Sequence, residues 1–347
     1  MSIKTKVVYL PPVSIKNPYQ SLMVKGLREN KNLIVIKGYS SRYIGILLSS
    51  IIYRPQYIHF DWINKYYLKK YSITTIISSL WFLIQIVIIT KLLRTEVVWT
   101  MHNLSPHDSK QLKINEIVQK LFIKNCKWIR VFSTLTISRI ANKFNISKNK
   151  IISVPEGSYV DYYPNEITRI EARKKMRIGR EKMFLYIGTI KPYKGIIDLI
   201  KIFSKINDDN IKLIIAGKVT NRTYLKKITQ LIDNNNSIKL VNQFIDPNAL
   251  QIFFNAADAV ILPFKNIENS GSAILAMGFK KIIITPNLGV LPDRLKNQKE
   301  FLYTNDLMEK IYKVLSMNYK DIEKIGQKNF IELKNYNWSD YSKYFIN

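Results

Sequence analysis

The amino-acid sequence predicts an α/β protein of two domains, each a parallel sheet wrapped by helices. Short β-like apolar runs alternate with longer helical stretches along the whole chain, an order typical of parallel sheets with crossover helices. The 347 residues, 47% of them apolar, suffice for two cores at roughly 150 residues per domain. The single cysteine, Cys126, excludes a disulfide within the chain and fits a reducing compartment.

The first half carries six strand-like runs, each followed by a turn or a helical stretch. The strands are predicted at 6–10, 33–39, 57–62, 97–103, 128–133 and 151–157, and the helices at 19–28, 73–93, 116–125 and 135–144. The polar segment 159–181, with Pro164, has the composition of a domain linker.

The second half repeats the same alternation. Strands are predicted at 183–189, 211–217, 237–244, 259–264 and 281–286, and helices at 196–206, 222–233, 247–256 and 272–278. The pattern predicts two Rossmann-like domains, at 1–165 and 180–329, facing a central cleft. In such sheets a ligand binds at the carboxyl ends of the strands.

The net charge of +29 indicates a polyanionic partner, such as a lipid headgroup, a phosphorylated substrate or nucleic acid. Zinc-ligand spacing, aromatic RNA-binding motifs and basic dimerising helices do not occur, so nucleic acid is disfavoured. Residues 1–10 lack the layout of a signal peptide. The apolar run 73–90 contains Thr74, Ser78 and Gln85, which favour a buried or membrane-contacting helix over a membrane span.

The segment 186–200, YIGTIKPYKGIIDLI, has the form of a phosphate-binding turn. A strand leads into Gly188 and Thr189, and Lys194 precedes a helix whose first N–H groups favour an anion. Lys191 and Lys194 add positive charge there. The alternative is a pair of solvated surface lysines.

Small residues fill a second turn between a strand and a helix. Asn269, Ser270, Gly271 and Ser272 allow a ligand to approach the backbone, and Glu268 is placed to bind a sugar or ribose hydroxyl. An ordinary helix N-cap is the alternative.

Two of the three histidines lie in VVWTMHNLSPHD (97–108), just after a strand. His102 and His107, with Asp108, are the candidate catalytic residues, because strand-end loops are where sites form in these sheets. The third histidine, His59, is interpreted as structural.

Together these segments resemble the GT-B glycosyltransferases, and among them the group-1 (glycogen-synthase-like) superfamily of bacterial polysaccharide operons. The resemblance implies that Lys194 binds the donor diphosphate, with Thr189 where the family usually has arginine and Lys191 as its substitute. It also implies that His102 lies near the transferred sugar. The ending 336–345 resembles the family's C-terminal helix, so 330–347 is expected to pack back on the first domain.

Departures from the family pattern bear on mechanism. Ile267 and Leu275 stand where many retaining members have glutamates, and Glu268 is displaced by one position. The sequence therefore resembles the inverting transferases, with His107, Asp108 and His102 as candidate bases in that order. No acidic pair requires a metal, and no cofactor is expected.

The expected function is transfer of a hexose from a nucleotide-diphosphate sugar to a lipid-linked oligosaccharide, in capsule, O-antigen or exopolysaccharide synthesis. GDP-mannose is the first candidate donor and a UDP-sugar the second. Base selectivity depends on the 263–272 turn and the segment 241–245, which includes Phe244. The expected location is cytoplasmic, at an anionic inner membrane face. The alternatives are a catalytically silent partner subunit of the same fold and a polyanion-binding or nucleic-acid-binding protein.

Overall fold

The computed structural model describes residues 4–12, 18–103, 111–233 and 235–346. It divides into two compact units, Met1–Gly157 with Tyr336–Asn347, and Ser158–Asn335.

In the described part of the first unit, six parallel strands form one sheet. They are β1 (Thr5–Leu10), β2 (Leu33–Lys37), β3 (Tyr57–Phe60), β4 (Glu96–Thr100), β5 (Cys126–Val131) and β6 (Ile151–Ser153). Their spatial order is β2-β1-β3-β4-β5-β6. The central strands are apolar and buried on both faces, as parallel sheets covered by helices require.

Helices connect these strands. They are α1 (Pro18–Glu29), α2 (Gly45–Tyr53), α3 (Asn64–Tyr67), α4 (Ser72–Val87), α5 (Leu112–Lys124) and α6 (Ile137–Phe144). Helix α4 continues as a π-helix, Ile88–Leu92, and short 3₁₀ turns occupy Thr134–Thr136 and Lys148–Lys150. Helix α2 was not predicted, because GILLSSIIY is apolar on nearly every side and gives no helical period.

Within the described ranges, one run, Ser72–Leu92, is long and apolar enough to cross a membrane, with a mean hydropathy of 2.1. Only 33% of its most apolar window is buried in the fold.

The second unit also forms a six-stranded parallel sheet among its described residues. Its strands are β7 (Lys182–Ile187), β8 (Ile211–Ala216), β9 (Ile238–Val241), β10 (Ala259–Ile261), β11 (Ile282–Pro286) and β12 (Leu302–Tyr303). They lie in the order β12-β11-β10-β7-β8-β9.

The helices of this unit complete its two outer layers. They are α7 (Arg169–Met176), α8 (Ile196–Phe203), α9 (Arg222–Ile232), α10 (Leu250–Ala256), α11 (Gly271–Gly278), α12 (Leu291–Arg294), α13 (Leu307–Ser316) and α14 (Tyr319–Leu333). Shorter 3₁₀ turns lie at Pro192–Lys194, Pro247–Ala249 and Lys296–Phe301.

The segment 159–181, predicted as a linker, belongs to the second unit and contains helix α7. Thr168 caps the helix in a capping box with Glu171. Arg169 and Arg173 of α7 form ion pairs with the buried Asp258, at 2.7 and 3.3 Å. These ion pairs fix a polar segment whose composition alone suggests a linker.

The C-terminal segment corrects another prediction. A single helix over 330–347 was expected, but α14 ends at Leu333 in the second unit. A separate 3₁₀ segment, Trp338–Phe345, packs on α1 of the first unit, with Tyr341 and Phe345 fully buried. The expectation that the end of the chain packs on the first domain therefore applies to residues 336–346.

Gly26 of α1 makes the close approach of this segment possible. A Cβ at Gly26 would lie 2.5 Å from the carbonyl carbon of Trp338, too close for any real contact. The backbone of the C-terminal segment thus rests directly against the backbone of the helix.

We predict that Gly26→Ala destabilises the protein by about 1–3 kcal/mol, because the new methyl group must push the Trp338 backbone away. Helix propensity alone predicts the opposite effect, an increase of about 1 kcal/mol in the free energy of unfolding. Gly278→Ala is the matched control, because its Cβ would meet ordinary contacts at 3.5 and 3.8 Å. Urea unfolding of both variants checks the prediction, and stabilisation by Gly26→Ala would contradict it.

Candidate functional site

The carboxyl ends of β7 and β10 form the switch point of the second sheet. The chain runs from β7 to β8 and β9 on one side, and β10, β11 and β12 lie on the other. Ligands of open α/β sheets bind at such a point, because the loops leaving the two neighbouring strands diverge there. The predicted donor-binding segments are the loops that follow these two strands.

Glycines allow these loops to approach each other closely. Gly195 has a φ of +73°, and a Cβ there would lie 1.9 Å from the carbonyl oxygen of Pro263. Gly188 has a φ of +138°, and its Cβ position is 3.2 Å from the hydroxyl of Ser272. The structure thus brings the two predicted segments, 186–200 and 263–272, into direct contact.

Lys194 is half-buried in this contact. Its ammonium group lies 5.1 Å from the ring centre of Tyr193 and 4.4 Å from that of Phe264, within cation–π range. Burial, and to a lesser degree the charge of Lys191, lowers the pKa of Lys194 to about 8. A lysine that is partly shielded from water in this way interacts more strongly with an anionic ligand than a fully solvated lysine does.

Helix α11 begins beside the glycine turn. Ser270 is its N-cap, and the Ser270 side chain accepts a hydrogen bond from the Ala273 N–H at 3.2 Å. Among the described residues beyond its own helix turn, none has an atom within 4 Å of a Cβ position on Gly271, so a ligand has room to approach the backbone there. Ser270 is therefore an ordinary helix N-cap, as the alternative interpretation of this turn expects. Gly271 and Ser272 border the open space.

The remaining donor-site candidates lie on the same edge of the sheet. Glu268 is half-buried, and its carbonyl oxygen accepts a hydrogen bond from Val290 N–H at 3.2 Å. Thr189 follows Gly188, and its carbonyl oxygen accepts a hydrogen bond from the Tyr186 hydroxyl at 2.9 Å. Phe244, just past β9, is 78% exposed. Such an aromatic ring at the rim of a strand-end site is suited to stacking on a nucleobase.

The first unit contains a second polar cluster, centred on Asp61 and His102. Asp61 directly follows β3, and His102 follows β4, so both lie at carboxyl strand ends of their own sheet. His102 Nε2 lies 2.9 Å from Asp61 Oδ1, and Asp61 is buried. The Tyr9 hydroxyl donates a hydrogen bond to the other carboxylate oxygen.

Asp61 remains ionised in this position. Burial by itself raises the pKa of Asp61, but the hydrogen bond from His102, the nearby histidine rings and the Tyr9 hydroxyl outweigh burial and lower it. An ionised carboxylate only accepts hydrogen bonds, so the neutral form of the His102 ring has its proton on Nε2 and its lone pair on Nδ1.

Aromatic rings fix the orientation of His102. Trp62 stacks on the imidazole, with centroids 4.4 Å apart and an interplanar angle of 20°. Tyr19 meets the ring edge-on at 4.7 Å, and the His102 side chain is only 10% exposed. A histidine held by a carboxylate and by stacked rings has the arrangement of an oriented general base.

His59 has a different role. Its Nε2 lies 2.8 Å from Thr100 Oγ1, and burial lowers its pKa to about 4, so the ring is neutral inside the core. This agrees with its interpretation as structural. The other two candidate bases, His107 and Asp108, lie outside the described residues.

The sequence interpretation missed Asp61 and the buried Arg130. Asp61 is the first residue after a strand, so the rule that selected His102 could have selected it. Arg130 donates hydrogen bonds to the carbonyl oxygens of Val154 and Pro155 at 3.0 and 2.8 Å. No sequence signal separates it from the many surface cations of this chain.

Comparisons with known proteins indicate the family and the fold. Residues 168–330 match the family model described as "Glycosyl transferases group 1". A GDP-mannose:glycolipid 4-beta-D-mannosyltransferase of Xanthomonas campestris pv. campestris is 22% identical over 194 residues, or 55% of this chain and 50% of that protein. The chain thus spans about half the length of the curated relatives it matches.

Solved structures share the fold over nearly the full chain. Sucrose-phosphate synthase of Thermosynechococcus elongatus superposes with a TM-score of 0.74 at 14% identity, covering 98% of this chain and 97% of that one. HepE of Anabaena, solved in complex with UDP and glucose, gives 0.73 at 13% identity, covering 98% of both chains. The predicted α/β GT-B fold is confirmed, and residues 168–330 match the group-1 glycosyltransferase family.

Proposed function

We propose that the protein transfers a hexose from a nucleotide-diphosphate sugar to a lipid-linked oligosaccharide during synthesis of capsule, O-antigen or exopolysaccharide. The reaction is proposed to be inverting and independent of metal. The observation that carries the proposal is the half-buried Lys194 at the switch point of the second sheet, beside the small-residue turn that begins α11.

In this proposal the donor diphosphate binds at the carboxyl end of β7. Lys194 and Lys191 offset the negative charge that develops as the sugar–phosphate bond breaks, and the N–H groups at the start of α11 add to this. Glu268 binds a sugar or ribose hydroxyl, and Phe244 contacts the nucleobase. Because two lysines supply the positive charge, a metal ion is not needed for this step.

His102 is proposed as the general base, oriented by Asp61. The acceptor hydroxyl attacks the anomeric carbon of the sugar, and its proton passes to His102 Nδ1. The bond between the anomeric carbon and the diphosphate oxygen breaks, and its electron pair leaves with the nucleoside diphosphate. Attack opposite the leaving group inverts the anomeric configuration.

Two features favour inversion. Ile267 is buried and Leu275 is half-buried, and both are apolar where many retaining relatives of the family have glutamates. The mannosyltransferase of Xanthomonas forms a β linkage according to its name, and GDP-mannose carries its sugar in α linkage. That name also supports GDP-mannose as the first candidate donor and a glycolipid acceptor, whereas the UDP complex of HepE keeps UDP-sugars as the second.

We predict selective thermal stabilisation of the protein by one of UDP, GDP, dTDP or CMP. Lys194→Ala should weaken binding of that nucleotide by about 10- to 100-fold, because one charge-assisted contact contributes about 1.5–3 kcal/mol. Lys201→Ala, on the exposed face of α8, removes the same charge and should bind normally. Equal binding by native and Lys194→Ala protein would refute the donor-site assignment, and no binding by the native protein would favour the silent-subunit alternative.

We predict that affinity for the nucleoside diphosphate falls as the pH rises above about 8. The pKa of Lys194 is about 8 in the free protein, so binding the anionic diphosphate requires proton uptake at higher pH. Lys194→Arg should bind with a flatter pH dependence, because arginine stays protonated throughout. Isothermal titration calorimetry in two buffers measures the proton uptake. An unchanged slope of affinity against pH in Lys194→Arg would contradict the role of Lys194 as the group that takes up the proton.

We predict that His102→Ala and Asp61→Asn each lower kcat by about 10²- to 10⁴-fold while leaving nucleotide affinity unchanged. Asparagine has nearly the same size as aspartate, but its neutral amide does not offer the His102 ring an ionised hydrogen-bond acceptor. Asp61→Glu restores the carboxylate and should recover part of the activity, which a packing role for Asp61 would not predict. Full activity in folded His102→Ala would exclude His102 as the base and favour a group outside the described residues.

A further inference from the structure

Helix α4 presents an apolar face to solvent. Its outward side chains are each 46–69% exposed: Ile73, Ile76, Ile77, Leu80, Ile84 and Val87. Six exposed large aliphatic side chains on one helix exceed the scattered apolar residues normal for a protein surface. These six residues form the α4 face.

The opposite side of the same helix is more polar than its exposed side. Thr75, Ser79 and Gln85 are buried against the first unit, together with Phe82 and Ile86. Thr75 Oγ1 accepts a hydrogen bond from the Lys69 N–H at 2.9 Å, which fixes the start of the helix on the fold. A helix adapted to water places its polar side outward. The reversed polarity of α4 therefore indicates that its outward face meets an apolar medium.

Neighbouring helices extend the apolar area. Helix α2 packs against the π-helical end of α4 and exposes Ile51 and Ile52 at 55% and 53%. Helix α5 packs along α4 and exposes Ile117 and Leu121 at 59% and 41%. The apolar surface is therefore carried by three helices of the first unit.

Aromatic side chains accompany this surface. Tyr43, Tyr71 and Trp81 are 65%, 61% and 37% exposed, and the Trp81 indole N–H donates to the Tyr43 carbonyl oxygen. Exposed tyrosine and tryptophan are typical of segments at the boundary between hydrocarbon and water.

The chain segment that contains α2 and α4 carries surface charge of one sign. Between Asn30 and Thr95 the sequence has nine lysines and arginines and one acid, Asp61, which is buried. Lys69 and Lys70 precede the helix, and Lys91 and Arg94 follow its apolar run. An apolar strip with cations at both ends complements a bilayer that has anionic headgroups, whereas a second copy would bring like charges together.

We propose that the α4 face docks on an anionic lipid bilayer, with the helix lying in the plane of the membrane interface. The opposite side of α4 packs on α3 and α5, so the helix can enter the lipid by one face while remaining part of the fold. This docking surface adds a membrane partner to the proposed function. The evidence for it is the exposed side chains of the first unit, not the donor site.

Flotation with the purified full chain tests the proposal. Phosphatidylcholine vesicles that contain about 30% phosphatidylglycerol should carry the native protein upward, and vesicles of pure phosphatidylcholine should carry much less. Ile77→Ser with Leu80→Ser should lower the partition coefficient at least about tenfold. Lys70→Gln with Lys91→Gln should weaken binding mainly at low ionic strength.

The matched control is Ile170→Ser with Ile331→Ser in the second unit. These two side chains are 81% and 57% exposed, so the same kind of apolar area is removed away from α4. The control should float like the native protein. Brominated lipids should quench Trp81 fluorescence, and the quenched component should disappear in Trp81→Phe.

Three outcomes would overturn the proposal. They are absence of flotation by the native protein, equal flotation by the Ile77→Ser/Leu80→Ser variant, and a native dimer that this variant converts to monomer without any vesicle binding. The nucleotide thermal-shift assay on the same variant separates the two proposals. Retained nucleotide binding with lost flotation in this variant supports the docking surface. Native protein that floats but binds no nucleotide counts against the donor site alone.

Discussion

Parallel strand pairing is the constraint on which the rest of this structure depends. Both sheets pair their strands in parallel throughout the described residues, so each connection returns through a helix and each strand ends at the same edge. The residues that carry chemistry follow strands β3, β4, β7 and β10. A turn sequence such as 186–200 therefore becomes a site because of where its strand lies in the sheet.

Close backbone contacts refine that arrangement in the second unit. Gly217 and Gly188 both have positive φ, and a Cβ on Gly217 would lie 1.8 Å from the Gly188 carbonyl oxygen. Gly195 meets Pro263 in the same way. Larger residues would separate the turns and move Lys194 away from the start of α11. The glycines therefore act by bringing backbones together, and the basic and hydroxyl side chains then share one small region.

The first unit shows how a buried charge is maintained. Asp61 accepts hydrogen bonds from His102 and Tyr9, and these contacts outweigh the cost of its burial. The same contacts fix the tautomer of His102. Stability and proposed reactivity thus rely on the same atoms, so a substitution at Asp61 affects both.

The sequence by itself determined the class of fold, the order of most strands and helices, and the segments that contain the candidate site. These features follow from local periodicity and from turn residues, which depend on near neighbours along the chain. Tertiary structure decided that Asp61 lies against His102, that 159–181 is anchored through Asp258, and that α4 exposes its aliphatic side. Each of these depends on contacts between residues far apart in sequence or on which side of a largely apolar helix packs against the fold, and local periodicity determines neither.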